Sequence, residues 1–295
     1  MANAEAVLGA IEAGGTKFVL AVGTASGEIF CRHTLATRDP ADTLGKAADW
    51  FAQQTSVTAL GIGSFGPVDL DPKSTTWGHI TSTPKLGWVD CDIAGHFREA
   101  LGCPVGFDTD VNAAALAEWE ARADDAGRSL AYVTIGTGIG GGIVLDGRIV
   151  GGKTHPELGH IRVARHPADH EFGGVCPYHD DCLEGLASGP AIMARWGGHL
   201  GEVESFDAPR IIAHYLGQMC HALFSIAAVQ RIVLGGGVMQ AAGLLGAVSQ
   251  SFAKIDNGYL PGGVDRIIEA PRLGTASGIV GALLLASRAM IEEGT

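Results

Sequence analysis

The sequence lacks the features that would place the protein in a membrane or on a nucleic acid. Its longest strongly apolar stretch, residues 279–286, is far too short to span a bilayer. Residues 1–15 contain no basic start followed by a long apolar stretch, so they do not fit a secretion signal. The net charge is −12, from 20 basic and 32 acidic residues, and no basic run offsets it. Binding to nucleic acid or to an anionic membrane is therefore not expected.

Cysteine is too sparse for a disulfide scaffold, with six residues in a chain of 295. Four of them lie among apolar or helical neighbours and are interpreted as buried thiols: Cys31, Cys91, Cys103 and Cys220. This use of cysteine indicates a reducing compartment, and the expected location is the cytoplasm. Because 46% of the residues are hydrophobic and 18% are charged, a soluble globular chain with room for two cores is predicted.

Glycine is abundant, and its clusters belong to an internal repeat. The chain has 44 glycines, roughly twice the average share, and they are clustered rather than periodic. Residues 11–30 and 133–150 each have an apolar strand, a glycine-rich turn, a second strand, a hairpin turn and a third strand. The hairpin turns are Ser26-Gly27 and Asp146-Gly147, and such turns need positive φ. Two copies about 120 residues apart predict a duplicated domain.

Helical patterns follow each copy of the repeat and predict a mixed α/β fold. The expected helices are residues 42–53, a helix capped by Asp90 and ended by Gly102, and residues 111–123, 209–229, 238–254 and 278–290. Strands that alternate with helices predict, in each half, a mixed sheet flanked by helices. The polar Ala123–Ser129 stretch is the expected domain boundary. The expected domains are residues 1–122 for sugar and phosphate and 123–277 for the nucleotide, with a C-terminal helix, residues 278–295, packing back on the first domain.

Two glycine-rich segments match the dinucleotide-binding fingerprint without its context. Gly61–Gly66 runs into Pro67 and Gly136–Gly141 runs into a strand, whereas the fingerprint requires a helix after the loop. An NAD-dependent dehydrogenase is therefore not expected. Glycine turns still suit phosphate, because bare backbone N–H groups can approach its oxygens. We interpret Gly14–Lys17 and Gly136–Gly142 as phosphate turns rather than simple tight turns, and Gly235–Gly237 as a candidate near the nucleoside.

An acidic cluster, Asp108-Thr109-Asp110-Val111-Asn112, lies at a strand-to-helix junction. Transfer of a phosphoryl group requires a positioned hydroxyl and a carboxylate that can accept its proton. The ordinary alternative for an aspartate at such a junction is capping of the following helix. For Asp108 we favour that alternative.

A cluster of metal-ligating residue types lies between residues 160 and 182. Cys176, His179 and Cys182 together with one further histidine supply the ligand set of a closed zinc site. From the residues alone, the fourth ligand is His160, His166 or His170, and the alternative is a pair of buried thiols beside surface histidines. Four protein ligands leave no position for water, so such a zinc ion would be structural. It would fold the excursion that spans residues 160–182.

Four segments together resemble the ROK family of bacterial sugar kinases and repressors: Glu12–Lys17, Gly136–Gly142, Glu157-Leu158-Gly159-His160 and Cys176–Cys182. Their order and spacing hold over nearly the whole chain, and the Cys-Pro-Tyr-His-x-x-Cys form resembles the fructokinase branch. The resemblance implies an actin/hexokinase-type (ribonuclease H-like) duplicated fold, with two domains closing over a cleft that holds ATP and sugar. Many relatives carry Asp where this chain has Glu12, but orienting Mg²⁺ through water needs only a carboxylate.

The resemblance implies a role for each matching residue. Asp110, in the family's Asp-x-Asn motif, is the general base, and His160 is favoured as the fourth zinc ligand, with its ring also facing the sugar. The implied hexose contacts are Ser64, Gly66, Pro67, Thr83, Asn112, Glu157, His160 and Glu184. The implied contacts of Mg²⁺-ATP are Glu12, Gly14, Gly15, Thr16, Lys17, Thr137, Gly138, Gly140, Gly189, Pro190, Gly235, Gly236 and Gly237. The implied metal ligands are His160, Cys176, His179 and Cys182.

Several alternatives stay open on the sequence alone. Glu157 could support a neighbouring metal ligand instead of binding the sugar, and Asn112 could orient the aspartate instead. Trp88 could pack in the core instead of contacting the sugar. The expected activity is phosphorylation of fructose to fructose 6-phosphate by a homodimer, with a glucokinase, a mannokinase or a broad hexokinase as alternatives. A sugar-sensing ROK repressor would carry a DNA-binding domain before the first glycine turn, and an actin-type ATPase or scaffold would need no hexose pocket.

Overall fold

The structure is a computed structural model that describes residues 6–54, 57–123, 128–151, 154–262 and 266–293. Its strands are β1 (Leu8–Ala13), β2 (Lys17–Gly23), β3 (Ile29–Ala36), β4 (Ala59–Ser64), β5 (His79–Ile80), β6 (Cys91–Asp92), β7 (Val105–Thr109), β8 (Ser129–Ile135), β9 (Ile139–Leu145), β10 (Arg148–Ile149), β11 (Arg231–Gly235) and β12 (Ile267–Glu269). Its helices are α1 (Pro40–Ala52), α2 (Ile93–Leu101), α3 (Asp110–Glu120), α4 (Leu183–Ala187), α5 (Gly189–Trp196), α6 (Ala208–Ile226), α7 (Leu244–Asp256) and α8 (Ser277–Glu293).

Two five-stranded sheets have the same strand order. The first runs β3-β2-β1-β4-β7 and the second runs β10-β9-β8-β11-β12. In each sheet the first three strands along the chain form an antiparallel meander, and the next two add in parallel to the meander's first strand. The predicted duplication and the predicted mixed α/β class are therefore confirmed.

The two hairpin turns of the repeat use backbone conformations that their residues favour. Gly27 has a φ of 89°, and Asp146 and Gly147 have φ of 48° and 74°. Positive φ at both central residues of Asp146-Gly147 matches the right-handed twist of the flanking strands, and Asp-Gly tolerates it at low cost. In the turn at Ser26-Gly27, only the glycine has the expected positive φ.

The first compact unit comprises the described residues within Met1–Ala117, Gly151–His155 and Ala276–Thr295. Alternate residues of β1 face opposite sides, as the period of a strand requires. Leu8 and Ala10 pack with α8 on one face, and Ile11 and Ala13 belong to a core with α1 and α2 on the other. Each face of the first sheet is thus covered by helices.

Helix α8 is a core helix of the first unit. The stretch Gly274–Glu293 is long and apolar enough to cross a membrane by length and composition alone. It packs instead against β1, β4 and β7, with Ile279, Ala282 and Leu283 fully buried. A Cβ on Gly61 of β4 would lie 1.8 Å from the carbonyl oxygen of Ala282, so only glycine permits this approach.

The second compact unit comprises the described residues within Glu118–Val150 and Pro156–Thr275. Its core combines β8 and β11 with α6, which buries residues at helical spacing: Ile212, Tyr215, Leu216, Met219 and Leu223. The predicted domain assignment stays a prediction, and residues 124–127 of the expected boundary lie outside the described residues.

Two predicted helix limits were wrong for local reasons. Asp92, not Asp90, caps α2, because its side chain accepts the Gly95 N–H while Asp90 has a φ of 58°. The helix predicted over 238–254 is a short 3-10 turn, Val238–Gln240, followed by α7. Gly243, with a φ of 78°, separates the two. Gly102 ends α2 in the left-handed conformation, as predicted.

Candidate active site and candidate metal centre

The first unit brings three predicted segments to one edge of its sheet. Strands β1, β4 and β7 are parallel, and the register pairs Ala13 with Ser64 and Ser64 with Thr109. Their carboxyl ends therefore meet, and ligands of open α/β sheets bind at such ends. The segments that leave these ends are Glu12–Lys17, Ser64–Pro67 and Asp108–Asn112.

The glycine turn after β1 has an ordered base and an exposed tip. The Gly14 N–H donates to the Lys17 carbonyl at 2.9 Å, and the Thr37 hydroxyl donates to the Gly14 carbonyl at 2.7 Å. Gly15, Thr16 and Lys17 are exposed. A tip of this kind presents backbone N–H groups and an ammonium to a ligand, which is compatible with phosphate.

Glu12 is a partly buried carboxylate beside this turn. Burial raises the pKa of its carboxyl group, although the charges of Arg32 and Lys17 oppose the shift. A Cβ on Gly278, in the first turn of α8, would lie 2.7 Å from the Glu12 carboxyl carbon. The positive end of the α8 dipole therefore faces an acidic side chain.

Asp110 is the first residue of α3 and is half-buried. Its Oδ1 accepts the Val111 N–H at 2.9 Å, and a Cβ on Gly63 of β4 would lie 3.3 Å from the Asp110 Cα. The α3 cap is Thr109, whose hydroxyl accepts the Asn112 N–H at 3.1 Å. Capping by Asp108 was therefore the wrong interpretation.

Asp108 is instead the partner of Asn112. Its Oδ1 accepts the Asn112 side-chain amide at 2.6 Å and the Thr109 N–H at 2.7 Å, and burial raises the pKa of its carboxyl group. The Asn112 Oδ1 is buried and has no hydrogen-bond partner within the described residues. Asn112 thus orients Asp108 in the structure, not Asp110.

The predicted sugar segments of the first unit form one bonded group. Ser64 is fully buried, and the Pro67 carbonyl accepts the Thr81 N–H at 2.8 Å, two residues before Thr83. Trp88 is also fully buried, donates its indole N–H to the Arg38 carbonyl and packs on Phe18 and Phe65. Of its two interpretations, the structure supports core packing.

The second unit brings its three predicted nucleotide segments together. Gly189 is the first residue of α5 and is followed by Pro190. Its N–H donates to the Gly136 carbonyl at 2.7 Å. Gly236 has a φ of 91°, and a Cβ there would lie 2.3 Å from the Ile135 carbonyl oxygen. These segments surround the carboxyl ends of β8 and β11, and the exposed Thr137 lies at the tip of the Gly136–Gly138 turn.

Glu184 supports the glycine turn of the second unit. Its Oε2 accepts the Ile139 N–H at 2.8 Å, and a Cβ on Gly138 would lie 2.7 Å from the same oxygen. Glu157 is exposed and lies just before the 3-10 turn Leu158–His160, whose Gly159 packs closely on β9. The structure therefore places Glu184 against the turn at Gly136–Gly140, and places Gly159, which lies between Glu157 and His160 in sequence, beside Ile139.

Four side chains of the second unit converge on one point. The ligand atoms of His160, Cys176, His179 and Cys182 all lie within 4.8 Å of one another. His160 Nδ1 is 3.7 Å from Cys176 Sγ and 3.5 Å from Cys182 Sγ, and His179 Nδ1 is 3.7 Å from Cys176 Sγ. Among the alternative histidines, His166 uses Nδ1 to accept the Ala168 N–H, and His170 lines a cavity of about 430 Å³.

The cluster fits a tetrahedral zinc ion. For Zn–S of about 2.3 Å and Zn–N of about 2.0 Å, neighbouring sulfur and nitrogen ligands lie roughly 3.6 Å apart. Burial raises the pKa of the Cys182 thiol to about 11. Such a thiol is protonated at neutral pH unless a cation stabilises the thiolate, and a metal at the centre would supply that charge.

Comparison with known proteins identifies the family. The ROK family model matches residues 8–289. This chain belongs to the ROK family. It is 45% identical to a fructokinase of Zymomonas mobilis over 97% of this chain and 98% of that protein, and 44% identical to a fructokinase of Pediococcus pentosaceus over 96% and 99%. A ROK hexokinase of Thermus thermophilus has a similar structure, with a TM-score of 0.79, 27% identity and coverage of 97% and 99%.

Sequence reasoning missed a buried polar cluster in the second unit of this ROK chain, formed by Asp169, Tyr215 and Arg195. Asp169, 5% exposed, accepts the Tyr215 hydroxyl at 2.6 Å and pairs with Arg195 at 3.1 Å. The Arg195 guanidinium stacks over the rings of Phe172 and Trp196. The three polar residues are far apart in sequence and no motif joins them, so only the fold reveals the anchor.

His155 of the first unit was missed as well. It is buried, and its Nε2 accepts the Val68 N–H at 3.2 Å. Its position, two residues before Glu157, was the one available signal.

Proposed function

We propose that this ROK protein is an ATP-dependent fructokinase that forms fructose 6-phosphate. The observation that carries the proposal is sequence identity of 45% and 44%, over nearly the whole chain, to proteins named fructokinase. The placement of Asp110 and the convergence of the four metal-ligand candidates support it independently. The cleft between two domains, expected from the resemblance, stays a prediction.

In this proposal Asp110 holds the attacking hydroxyl and accepts its proton. Phosphoryl transfer passes through a loose transition state, so the demand on a base comes late and alignment of the hydroxyl contributes most. Asp110 begins α3, where backbone N–H groups and the helix dipole favour its ionised form. An ionised carboxylate is a hydrogen-bond acceptor, which is what a positioned hydroxyl requires.

The glycine turns and Glu12 would bind Mg²⁺-ATP. The exposed tip at Gly15–Lys17 offers an ammonium and backbone N–H groups to phosphate, and Thr137–Gly140 offers the corresponding tip of the other repeat. Gly189, Pro190 and Gly235–Gly237 lie beside that tip and would contact the nucleoside. Glu12 would hold Mg²⁺ through water, and the ion would neutralise phosphate charge during transfer.

The sugar would be held by candidate residues from each unit. Ser64, Gly66, Pro67, Thr83 and Asn112 are the candidates of the first unit, and Glu157, His160 and Glu184 those of the second. A structural zinc ion on His160 Nδ1 would fix its ring and leave Nε2 for a hydroxyl. Glucose, mannose or several hexoses are the alternative substrates, since hydrogen-bond positions decide among them.

Release of ADP from ATP, measured with and without hexose, tests the proposal. We expect fructose to increase the rate by orders of magnitude over ATP alone, and to exceed glucose and mannose in kcat/KM. A rate of ADP release that no hexose increases would contradict a sugar kinase, whereas a preference for glucose would contradict only the assignment of fructose. We further expect a cytoplasmic homodimer without nucleic-acid or membrane binding, and sedimentation velocity tests the assembly.

A further inference from the structure

Several hydrogen bonds anchor the segment after β4, and one of them is to a buried imidazole. The Phe65 N–H donates to the Ala13 carbonyl at 2.7 Å, and the Pro67 carbonyl accepts both the Thr81 N–H and the Thr81 hydroxyl. The Val68 N–H donates to His155 Nε2 at 3.2 Å, in a buried environment. At Val68, therefore, the acceptor is a side chain.

The ring also packs on the segment itself. A Cβ on Gly66 would lie 3.4 Å from His155 Cε1 and 3.5 Å from Nε2, so the imidazole contacts the glycine that precedes Pro67. Because Nε2 accepts a hydrogen bond, the neutral ring carries its proton on Nδ1. Protonation or removal of the ring would leave the buried Val68 N–H without its acceptor.

A separate polar contact lies at the start of α3. The Asp108 Oδ1 accepts the Asn112 side-chain amide at 2.6 Å, and Asn112 lies in the first turn of the helix that begins with Asp110. Asp108 therefore orders the substrate-binding candidate Asn112, whereas His155 contacts the Ser64–Val68 segment.

We propose that His155 is a positioning residue for hexose binding, which fixes the Ser64–Val68 segment by accepting the Val68 N–H. This inference rests on the proposed sugar kinase activity. His155 is not among the residues assigned to ATP, so its loss should affect the two substrates differently. Without this acceptor the Val68 N–H is unsatisfied in the native arrangement, so the segment is less ordered. Hexose binding must then restore the order, which lowers the affinity for hexose.

The test compares His155→Leu, which fills the space without an acceptor, with His155→Gln, whose Oε1 can accept the Val68 N–H. We expect His155→Leu to raise the KM for fructose about tenfold, the effect of one unsatisfied buried donor, and to leave the KM for ATP within about twofold. His155→Gln should recover most of the loss. The control His33→Leu removes a ring that stacks on Trp50 and should alter neither KM.

Hydrogen exchange at the Val68 amide gives a second readout that does not depend on activity. The amide should be protected in the wild type and in His155→Gln, and should exchange faster in His155→Leu. Equal protection in all three proteins, equal KM values in the two His155 variants, or a parallel rise in both KM values would overturn the inference. A wild type without hexose-dependent ADP release but with this exchange pattern would instead refute the proposed function and leave the anchoring bond in place.

Discussion

The two sheets share one strand order but differ in the segment after the third strand. After β3 the chain forms α1, which buries Thr43, Leu44, Ala47 and Phe51. After β10 it enters the excursion that spans residues 160–182. Within residues 161–175, all of them described, Asp169 is the only buried residue. One repeat thus covers its sheet with fully buried apolar side chains, whereas the apolar residues with which the other repeat's segment packs on the core, Ile161, Val163 and Phe172, are only partly buried.

This difference explains why the excursion needs polar anchors. Each fully buried large apolar side chain contributes roughly 1.5–3 kcal/mol, and that contribution is what holds α1 in place. The excursion has two candidates for this role: the cluster of His160, Cys176, His179 and Cys182, which would stabilise it by binding a metal ion, and the buried Asp169 with Arg195 and Tyr215. Duplication therefore preserved the sheet and left the connection free to acquire a different source of stability.

The largest expected effect is that of a substitution at Asp110 in the first unit, which should nearly abolish turnover without disturbing the fold. We expect Asp110→Asn to lower kcat by about 10³-fold or more, because the amide cannot accept the hydroxyl proton, while the protein still folds and binds both substrates. The measurement is steady-state ADP release with fructose. Asp92→Asn is the matched control, since Asn caps α2 as well as Asp does. Near-normal turnover of Asp110→Asn would remove this residue from the mechanism.

The second effect tests whether metal replaces an apolar core in the excursion. We expect Cys182→Ser, or strong chelation, to remove one equivalent of zinc, expose residues 161–175 to protease and raise the KM for fructose. Metal analysis and limited proteolysis are the measurements. The control is Cys31→Ser, at a thiol near Gln54 in the other unit, which should retain its zinc and its resistance to protease. A purified wild type without stoichiometric zinc would show that the cluster is not a zinc site.

The repeat and its turns could be predicted because their signals are local. Apolar strands, glycine turns and Asp146-Gly147 specify a meander within about twenty residues, and the structure has that meander twice. Three of the four metal-ligand candidates were predictable for a similar reason, because Cys176, His179 and Cys182 lie within one short segment. The residues alone left His160, His166 and His170 as alternatives for the fourth ligand, and only the family resemblance favoured His160.

The polar network around Asp110 could not be predicted, because its members come from separate strands and loops. The sequence favours Asp108 as the helix cap, whereas in the structure the Thr109 hydroxyl accepts the Asn112 N–H and occupies the cap. His155 and Val68 are 87 residues apart in sequence, and their bond exists only after the sheet forms. Position along the chain gives no information about such a pair without homologous sequences or a structure.

The third prediction, of intermediate size, concerns the free energy of unfolding and compares a buried with an exposed ion pair in the second unit. Breaking one partner of a buried pair costs about 3 kcal/mol, so Asp169→Asn should lower the free energy of unfolding by about that amount. Asp146→Asn, at an exposed pair with Arg128, should have a much smaller effect, because water screens the attraction between exposed charges. Urea denaturation of the zinc-loaded proteins measures both. Equal losses would mean that Asp169 does not anchor the excursion.

The smallest effect concerns Glu12 of the first unit, a carboxylate beside the candidate catalytic residues that is present at some cost in stability. Burial raises the pKa of this group above 4.5, so the folded state holds its proton more tightly than the unfolded state does. Stability from this group is therefore present at low pH and is lost as pH rises above the unfolded value. Glu12→Gln should be more stable than the wild type at pH 7, and the difference should vanish below about pH 4, where both side chains are neutral. Thermal unfolding across this range, without nucleotide, measures it. A variant that is less stable at pH 7 would show that the α8 dipole, Arg32 and Lys17 outweigh the burial of the charge.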